Sequence, residues 1–277
     1  MTQTQNHDTL AAWQAWRSQR ASDLNTQFGW LSLTNLVWLS ETPAEVPGLP
    51  GTWWLDGDAI VVTVPASLTS PATLTVHGQP DAQPDTQAPQ TFRTIIPEGT
   101  SSTGAETAGG AQIEFLSRSG RRGLRVRAPH NRPLGSDGLV PAAPYDPQWV
   151  KPVTVTWFEQ PRTVAIGTAQ PGLHAEAVLT GTITFDHEGT RHELYGTGPR
   201  DAAVVTFADA SPQTARWRYL PLNLVQDDHG NHLLDFNFAA NYPSAFSPFG
   251  TCPAPADGNT LSVAVTAGEL QPKQETS

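Results

Sequence analysis

Apolar and polar side chains alternate in short runs along most of this chain, and a period of two residues predicts β-strands. The clearest run is 52–66, in which the turn-forming pair Asp56-Gly57 separates two apolar segments, as in a β-hairpin. A second hairpin is predicted over 113–128. Further strands are predicted at 73–78, 91–96, 153–159, 163–169, 176–186, 191–196, 202–209, 216–225, 232–238 and 261–267. Short strands separated by turns at this spacing are typical of antiparallel sandwiches and barrels.

A helical period occurs near the start of the chain. Residues 8–24 combine an N-cap candidate, Asp8, with apolar positions such as Leu10 and Trp13 at helical spacing. Residues 28–40 are too apolar for a surface loop, and their spacing fits either a buried strand or a short helix. The predicted class is therefore all-β, with antiparallel sandwich- or barrel-like sheets and one N-terminal helix.

Two segments lack the large apolar side chains that a core needs. Residues 78–90 are rich in proline and glutamine, which is typical of a linker, and 98–112 have the composition of a mobile loop. A length of 277 residues suits one large β domain or two smaller ones. The linker predicts two modules: 1–88, with the helix and a small β-sandwich, and 89–277, the main antiparallel β domain.

The charge balance restricts the partners. With 16 basic and 26 acidic residues the net charge is −10, which argues against binding to nucleic acid or to an anionic membrane. The sequence contains no apolar run of about 18 residues and no basic, apolar leader at its start. A single cysteine excludes an internal disulfide framework. We therefore expect a soluble, cytoplasmic protein whose oligomeric state the sequence leaves open.

Known catalytic and cofactor motifs provide no support for a cofactor. The chain has no G-x-S-x-G elbow, no P-loop and no G-x-G-x-x-G after a strand. His187 and His192 flank one predicted turn, and His229 and His232 flank another, where solvent-facing histidines are ordinary. Cys252 lies in a proline-rich run that suits a packing cysteine. We expect neither a cofactor nor a metal.

Arginines concentrate in the hairpin over 113–128. Leu124 and Val126 face one side of its return strand, and Arg125 and Arg127 face the other. Guanidinium groups bind carboxylate or phosphate in pairs of parallel hydrogen bonds, so Arg125 and Arg127, which share a face, form a candidate anion clamp. We expect Arg122 or Arg125 to contact the anion. The alternative is a surface face that pairs with the protein's own acidic residues.

A second polar group occurs in the run 233–269. Asp235 and Asn237 alternate with phenylalanines, so their side chains share one face, and Asn241 and Glu269 follow. Buried polar groups must be hydrogen-bonded. These four side chains either bond one another and hold the run together, or leave donors and acceptors for a ligand.

Several short segments also form a recognisable pattern. They are GWLSLT at 29–34, RRGLRV at 121–126, YDP at 145–147, DFNFAANYPSAF at 235–246, TCPAP at 251–255 and AGE at 267–269, with Asp209, Thr214 and Arg218-Tyr219-Leu220 as a further element. The pattern resembles the bacterial and archaeal domain-of-unknown-function family 1684 and extends over most of the chain. That family has no assigned activity. Where its pattern has a cysteine pair, this chain has Ser244 and Cys252, so the resemblance does not imply chemistry that requires two cysteines.

The resemblance also implies an early domain similar to a forkhead-associated β-sandwich. Residues 46–78 lack the Gly-Arg and Ser-x-x-His elements with which that fold binds phosphothreonine, so phosphopeptide binding is not implied.

Taken together, these patterns predict a protein that binds a small, anionic ligand in a pocket of the C-terminal β domain. The candidate ligand-binding residues are Arg122, Arg125, Arg218, Asp235, Asn237, Asn241 and Glu269. Two alternatives stay open. One is a hydrolase with acid–base chemistry at Asp235 or Glu269, and the other is a structural or protein-interaction module. Whether the protein is an enzyme is thus undecided at this level.

Overall fold

The computed structural model describes residues 3–66, 74–77, 88–129, 134, 138–222, 225–226 and 232–272. The chain divides into two compact units. Residues 25–132 form one, here called the sandwich unit, and residues 1–24 with 133–277 form the other, called the C-terminal unit. This grouping differs from the predicted modules 1–88 and 89–277. The predicted linker falls mostly on 78–87, outside the described residues.

The sandwich unit contains two antiparallel sheets. Its strands are β1 (Leu33–Trp38), β2 (Ala44–Glu45), β3 (Thr52–Asp56), β4 (Ala59–Val64), β5 (Leu74–Val76), β6 (Gln90–Ile95), β7 (Ser101–Thr107), β8 (Gln112–Arg118) and β9 (Arg121–Arg127). One sheet has the order β1-β9-β8-β7-β5 and the other β2-β3-β4-β6. Apolar side chains of both sheets, including Trp53 and Phe115, form one core, so strands on either side of residue 88 fold together.

Two expectations for this unit are settled by local packing. The ambiguous run 28–40 is a short 3-10 helix, Trp30–Ser32, followed by strand β1. The predicted mobile loop over 98–112 is wrong, because strand β7 occupies its middle. The side of β7 at Gly104 lies against the Phe115 ring, which leaves no space for a Cβ. Small residues are therefore a packing requirement here, although their composition is typical of a loop.

The C-terminal unit is built on one antiparallel sheet. Its strands are β10 (Val150–Gly167), β11 (His174–His187), β12 (Thr190–Thr197), β13 (Val204–Phe207), β14 (Arg218–Pro221), β15 (Val225–Gln226), β16 (His232–Asp235) and β17 (Ala240–Asn241), in the order β15-β16-β10-β11-β12-β13-β14-β17. The strands predicted at 153–159 and 163–169 are the single strand β10, whose pairing with β11 is interrupted between Trp157 and Arg162.

The one α-helix of the described residues, α1, runs over Gln3–Leu24. It starts earlier than predicted, so Asp8 lies inside the helix. Trp13, Ala21 and Leu24 of α1 are buried, as the apolar spacing predicts. Among the described residues no helix is long and apolar enough to span a membrane. The all-β class with one N-terminal helix is confirmed.

The strand predicted over 261–267 is absent, which is the largest error in the predicted elements. The segment is irregular apart from an isolated bridge between Ala208 and Thr260 just before it, yet Leu261, Val265 and Ala267 are buried. Its alternating apolar residues do fill the core. Its first half forms backbone hydrogen bonds with Ala208 and Ala210, whereas side chains bind the backbone groups of its second half, as the next section describes.

Candidate functional site

The two candidate arginines of the sandwich unit bind carboxylates of that same unit. Arg122 lies 2.7 Å from Asp58. Arg125, 1% exposed, lies 3.2 Å from Glu114, which also accepts a 2.7 Å ion pair from Arg127. Burial alone would raise the pKa of Glu114, but Arg125 and Arg127 lower it below its ordinary value. Each of the two arginines is thus paired with a carboxylate of the same unit. This arrangement corresponds to the alternative given above, in which the arginines pair with the protein's own acidic residues.

The five other candidates belong to the C-terminal unit and form two polar clusters. The first is centred on Asn237, which is 1% exposed. Its side-chain amide donates to Asp235 at 2.7 Å and to the backbone carbonyl of Asp146 at 2.9 Å, and its Oδ1 accepts from the Asp146 N–H. Asp235 also accepts from the Tyr145 hydroxyl. All polar atoms of the Asn237 side chain are therefore used within the protein.

The second cluster is centred on Glu269, which is 1% exposed. Its carboxylate accepts from Arg20 Nε at 3.0 Å and from the Asn241 backbone N–H at 2.6 Å. Arg20 donates as well to the Asn241 carbonyl at 2.6 Å, and Asn241 Nδ2 donates to the Leu270 carbonyl. These bonds fasten helix α1 and strand β17 to the C-terminal segment.

Arg218 extends this second cluster into the core. It is fully buried on strand β14, pairs with Asp209 at 2.8 Å, and donates to the backbone carbonyls of Val265, Ala267 and Glu269. Burial lowers the pKa of Arg218, and Asp209 opposes that shift. The guanidinium thus supplies the donors that a neighbouring strand would otherwise give to this segment.

One face of helix α1 contacts both clusters. Trp13 donates its indole N–H to the Asn237 carbonyl at 3.0 Å, and Arg20, seven residues later, reaches the second cluster. Between them, Trp16 packs edge-to-face on Phe238. We call Trp13, Arg20, Asp209, Arg218, Asn237, Asn241 and Glu269 the clasp. Residues of the clasp that contact one another are far apart in the sequence, so a local sequence pattern does not reveal their contacts.

Gly268 is the backbone position on which the clasp depends most. Its φ is +79°, and a Cβ there would lie 2.7 Å from the Ala239 carbonyl oxygen. We expect Gly268→Ala to cost more than the roughly 1–2 kcal/mol of a strained φ alone, because the clash adds to it. Gly189→Ala, with φ +76° and no neighbouring atom within 4 Å, is the matched control. Urea denaturation of both variants measures the difference, and equal losses would contradict the role given to Gly268.

A group of aromatic side chains next to the clasp was not among the candidates. Tyr219 and Tyr242 are half-buried with ring centroids 4.8 Å apart, and the Arg20 guanidinium lies 5.9 Å from the Tyr219 ring. Tyr242 shares a 2.6 Å hydroxyl hydrogen bond with Thr206. Within the described part of the chain, the Tyr219 hydroxyl has no such bond. The adjacency of both tyrosines to clasp residues in the sequence is the signal that could have identified them.

Burial keeps both phenols of this tyrosine group protonated. It raises the pKa of Tyr219 above its ordinary value and that of Tyr242 to about 12. At neutral pH the Tyr219 hydroxyl is therefore a neutral hydrogen-bond donor and acceptor.

Other candidate chemistry is not assembled by the fold. In the described ranges no three His, Cys, Asp or Glu side chains are grouped to hold a metal ion. His187 stacks on Trp149 with centroids 4.5 Å apart, and His229 lies outside the described residues. Cys252 is buried, as expected for a packing cysteine. A cavity of about 510 Å³ is lined by residues 45–52 and Pro65 of the sandwich unit, none of them a candidate.

Comparison with known proteins agrees with the motif pattern. Residues 138–270 match the model of a family described as "Protein of unknown function (DUF1684)". The solution NMR structure of an uncharacterized protein from Haloarcula marismortui is 26% identical, with 50% of this chain and 82% of that chain covered and a TM-score of 0.39. No curated protein matches the chain. The matched segment contains all five candidates of the C-terminal unit, and no activity comes with it.

Proposed function

Residues 138–270 belong to the DUF1684 family, and from this premise we propose that the family segment, with helix α1, is a binding module for a small, uncharged ligand. The ligand contacts are Tyr219, Tyr242 and Arg20. The observation that carries the proposal is the half-buried Tyr219. Its hydroxyl has no hydrogen-bond partner within the described residues, although its ring lies near both Arg20 and Tyr242. Aromatic rings with one polar tip are common in ligand sites.

The charges around the tyrosines favour a neutral ligand over the anion that the sequence suggests. Arg20 is paired with Glu269, and Arg218 with Asp209, so neither guanidinium charge is uncompensated. The Asp23 carboxylate also interacts electrostatically with Tyr219. A bound anion would meet this negative field and would have to compete with Glu269 for Arg20.

The residues of the clasp other than Arg20 have a positioning role in this proposal. Tyr219 follows Arg218 on β14 and lies opposite Ala240, and Tyr242 follows Asn241. Glu269 fixes Arg20 beside them. The buried polar residues therefore orient the ligand contacts and do not touch the ligand themselves, which fits their internally satisfied hydrogen bonds.

Saturation-transfer NMR with benzamide and benzoate tests the proposed site. Benzamide presents an aromatic ring and a neutral amide, and benzoate has the same shape with a negative charge. We expect the wild-type protein to give a signal with benzamide that exceeds the benzoate signal, and Tyr219→Phe to weaken it severalfold, because one hydroxyl hydrogen bond contributes about 0.5–1.5 kcal/mol.

Tyr195→Phe is the matched control, since Tyr195 is also half-buried in the C-terminal unit. Its signal should equal that of the wild type. Loss of signal in both variants, or in neither, would argue against a site at Tyr219.

A second candidate, acid–base hydrolysis at Asp235, is favoured by one observation. Burial raises the pKa of Asp235, although hydrogen bonds from Asn237 and Tyr145 oppose the shift. A carboxyl group with a raised pKa binds its proton more tightly in the folded state. Stability should therefore fall as pH rises from the unfolded pKa near 4 through the folded value.

Asp235→Asn tests that assignment. We expect the variant to lack this pH dependence, so that the wild type loses stability relative to it as the pH rises from about 4 toward neutrality. Denaturant melts of both proteins across that range measure the difference. A constant difference would exclude a raised Asp235 pKa, and unchanged hydrolysis of ester substrates by the variant would exclude catalysis at this position.

A further inference from the structure

Two fully buried polar residues of the clasp occupy directly paired positions on neighbouring strands. Arg218 on β14 and Asn241 on β17 are direct partners in the antiparallel register, and both are 0% exposed. Side chains of directly opposed residues lie on the same face of a sheet, with Cβ atoms about 4.5–5.5 Å apart. This pair is on the side of the sheet opposite to Tyr219, because successive residues of a strand alternate.

Each of these side chains uses all but one of its polar atoms. The Arg218 Nη atoms bind Asp209 and three backbone carbonyls, and Asn241 Nδ2 binds the Leu270 carbonyl. Arg218 Nε and Asn241 Oδ1 are buried and have no hydrogen-bond partner within the described residues. The first is a donor and the second an acceptor, so the two groups left over are complementary.

His192 Nε2, Trp217 Nε1 and His232 Nδ1 of this unit are also buried without a partner within the described residues, but only Arg218 and Asn241 among these residues are direct strand partners. The other buried asparagines of the unit are fully hydrogen-bonded. Asn259, 1% exposed, accepts from the Tyr195 N–H and donates to the carbonyls of Tyr195 and Thr206. The Asn237 amide is equally satisfied. A buried polar group without a partner costs about 1–3 kcal/mol, and here two such groups belong to residues that are direct partners in the sheet.

We propose that Arg218 Nε and Asn241 Oδ1 form an internal site for a single water molecule. The water accepts from the Nε–H and donates to Oδ1, which satisfies both groups at once. Because both side chains are fully buried, the site excludes the hydroxyl group of a larger ligand. The clasp is thus completed by one bound water, and this site is separate from the ligand site proposed at Tyr219.

Water–protein cross-relaxation in the wild-type protein tests the proposal directly. The Arg218 Hε resonance should show a cross-peak to a long-lived water. The Arg20 Hε, which donates to Glu269 at 3.0 Å, is the internal control and should show none. A high-resolution crystal structure should then place one density peak within hydrogen-bonding distance of Arg218 Nε and Asn241 Oδ1.

Two results would overturn the inference: a direct hydrogen bond from Arg218 Nε to Asn241 Oδ1, or an Arg218 Hε without a water contact. Asn241→Leu adds a second measurement, since the number of long-lived waters counted by ¹⁷O relaxation dispersion should fall by one, whereas Asn259→Leu should leave it unchanged. If Asn241→Leu does not fold, the wild-type cross-peak alone decides.

Discussion

Glu269→Leu is expected to lower the free energy of unfolding by about 3–5 kcal/mol, the usual cost of removing one partner from a buried ion pair. Arg20 would lose the carboxylate at 3.0 Å, and the Asn241 N–H would lose its acceptor at 2.6 Å. Leucine fits the volume of the site but accepts no hydrogen bond. The loss should therefore release helix α1 from strand β17 as well as reduce stability.

Glu269→Gln separates the charge from the hydrogen bond in this test. A glutamine oxygen still accepts from Asn241, so this variant should lose only part of the stability, roughly 1–3 kcal/mol. Urea denaturation measures both, and hydrogen exchange of the Trp13 indole N–H, which donates to the Asn237 carbonyl, reports the docking of α1. A loss below about 1 kcal/mol in Glu269→Leu, as is usual for an exposed ion pair, would mean that the clasp does not hold the helix.

The local pattern predicts the two hairpins because their strands and turns are adjacent in the sequence. Residues 52–66 and 113–128 form the antiparallel pairs β3–β4 and β8–β9, with Asp56 opposite Ala59 and Arg118 opposite Arg121 at the turns. Alternation places Leu124 in the core, as expected. Period and turn chemistry suffice wherever the partner strand is the next one along the chain.

The two wrong predictions, a strand at 261–267 and a mobile loop at 98–112, have a different cause. Residues 261–267 alternate like a strand and are buried like one, but Arg218 and Asp209 supply hydrogen-bond partners from elsewhere in the chain. Residues 98–112 have the composition of a loop, but Gly104 makes space for the Phe115 ring. In both cases a distant contact decides the backbone conformation, and a local pattern does not contain that contact.

The partners of the candidate site residues are likewise distant in the sequence and are not visible in a local pattern. The polar run 233–269 indicates that Asn237, Asn241 and Glu269 have specific partners, but each of them also has a partner on helix α1. Arg20 and Glu269 are 249 residues apart in sequence, and Trp13 and Asn237 are 224 apart. The sequence could therefore leave open whether these groups hold a ligand or hold the fold. In the structure their hydrogen bonds are within the protein.

Arg218→Met is expected to be at least as damaging as the loss of Glu269, at about 3–5 kcal/mol. The variant leaves Asp209, whose side chain is 2% exposed, without its countercharge. It also removes the donor to three buried carbonyls between Val265 and Glu269. Since these three carbonyls have no backbone donor within the described residues, the segment should lose order before the strands of the sheet.

Arg122→Met is the matched control, because Arg122 is also an arginine in an ion pair, but its partner Asp58 has a side chain that is 75% exposed. That change should cost about 0–1 kcal/mol. Amide hydrogen exchange gives the sharper measurement: the Val265 N–H, which donates to Asp209 at 3.3 Å, should lose protection in Arg218→Met and keep it in Arg122→Met. The double variant Arg218→Met, Asp209→Asn should recover part of the stability, because asparagine removes the uncompensated charge and its Oδ1 can still accept from the Val265 N–H. Equal losses in the single and double variants would instead assign the effect to the orphaned carbonyls alone.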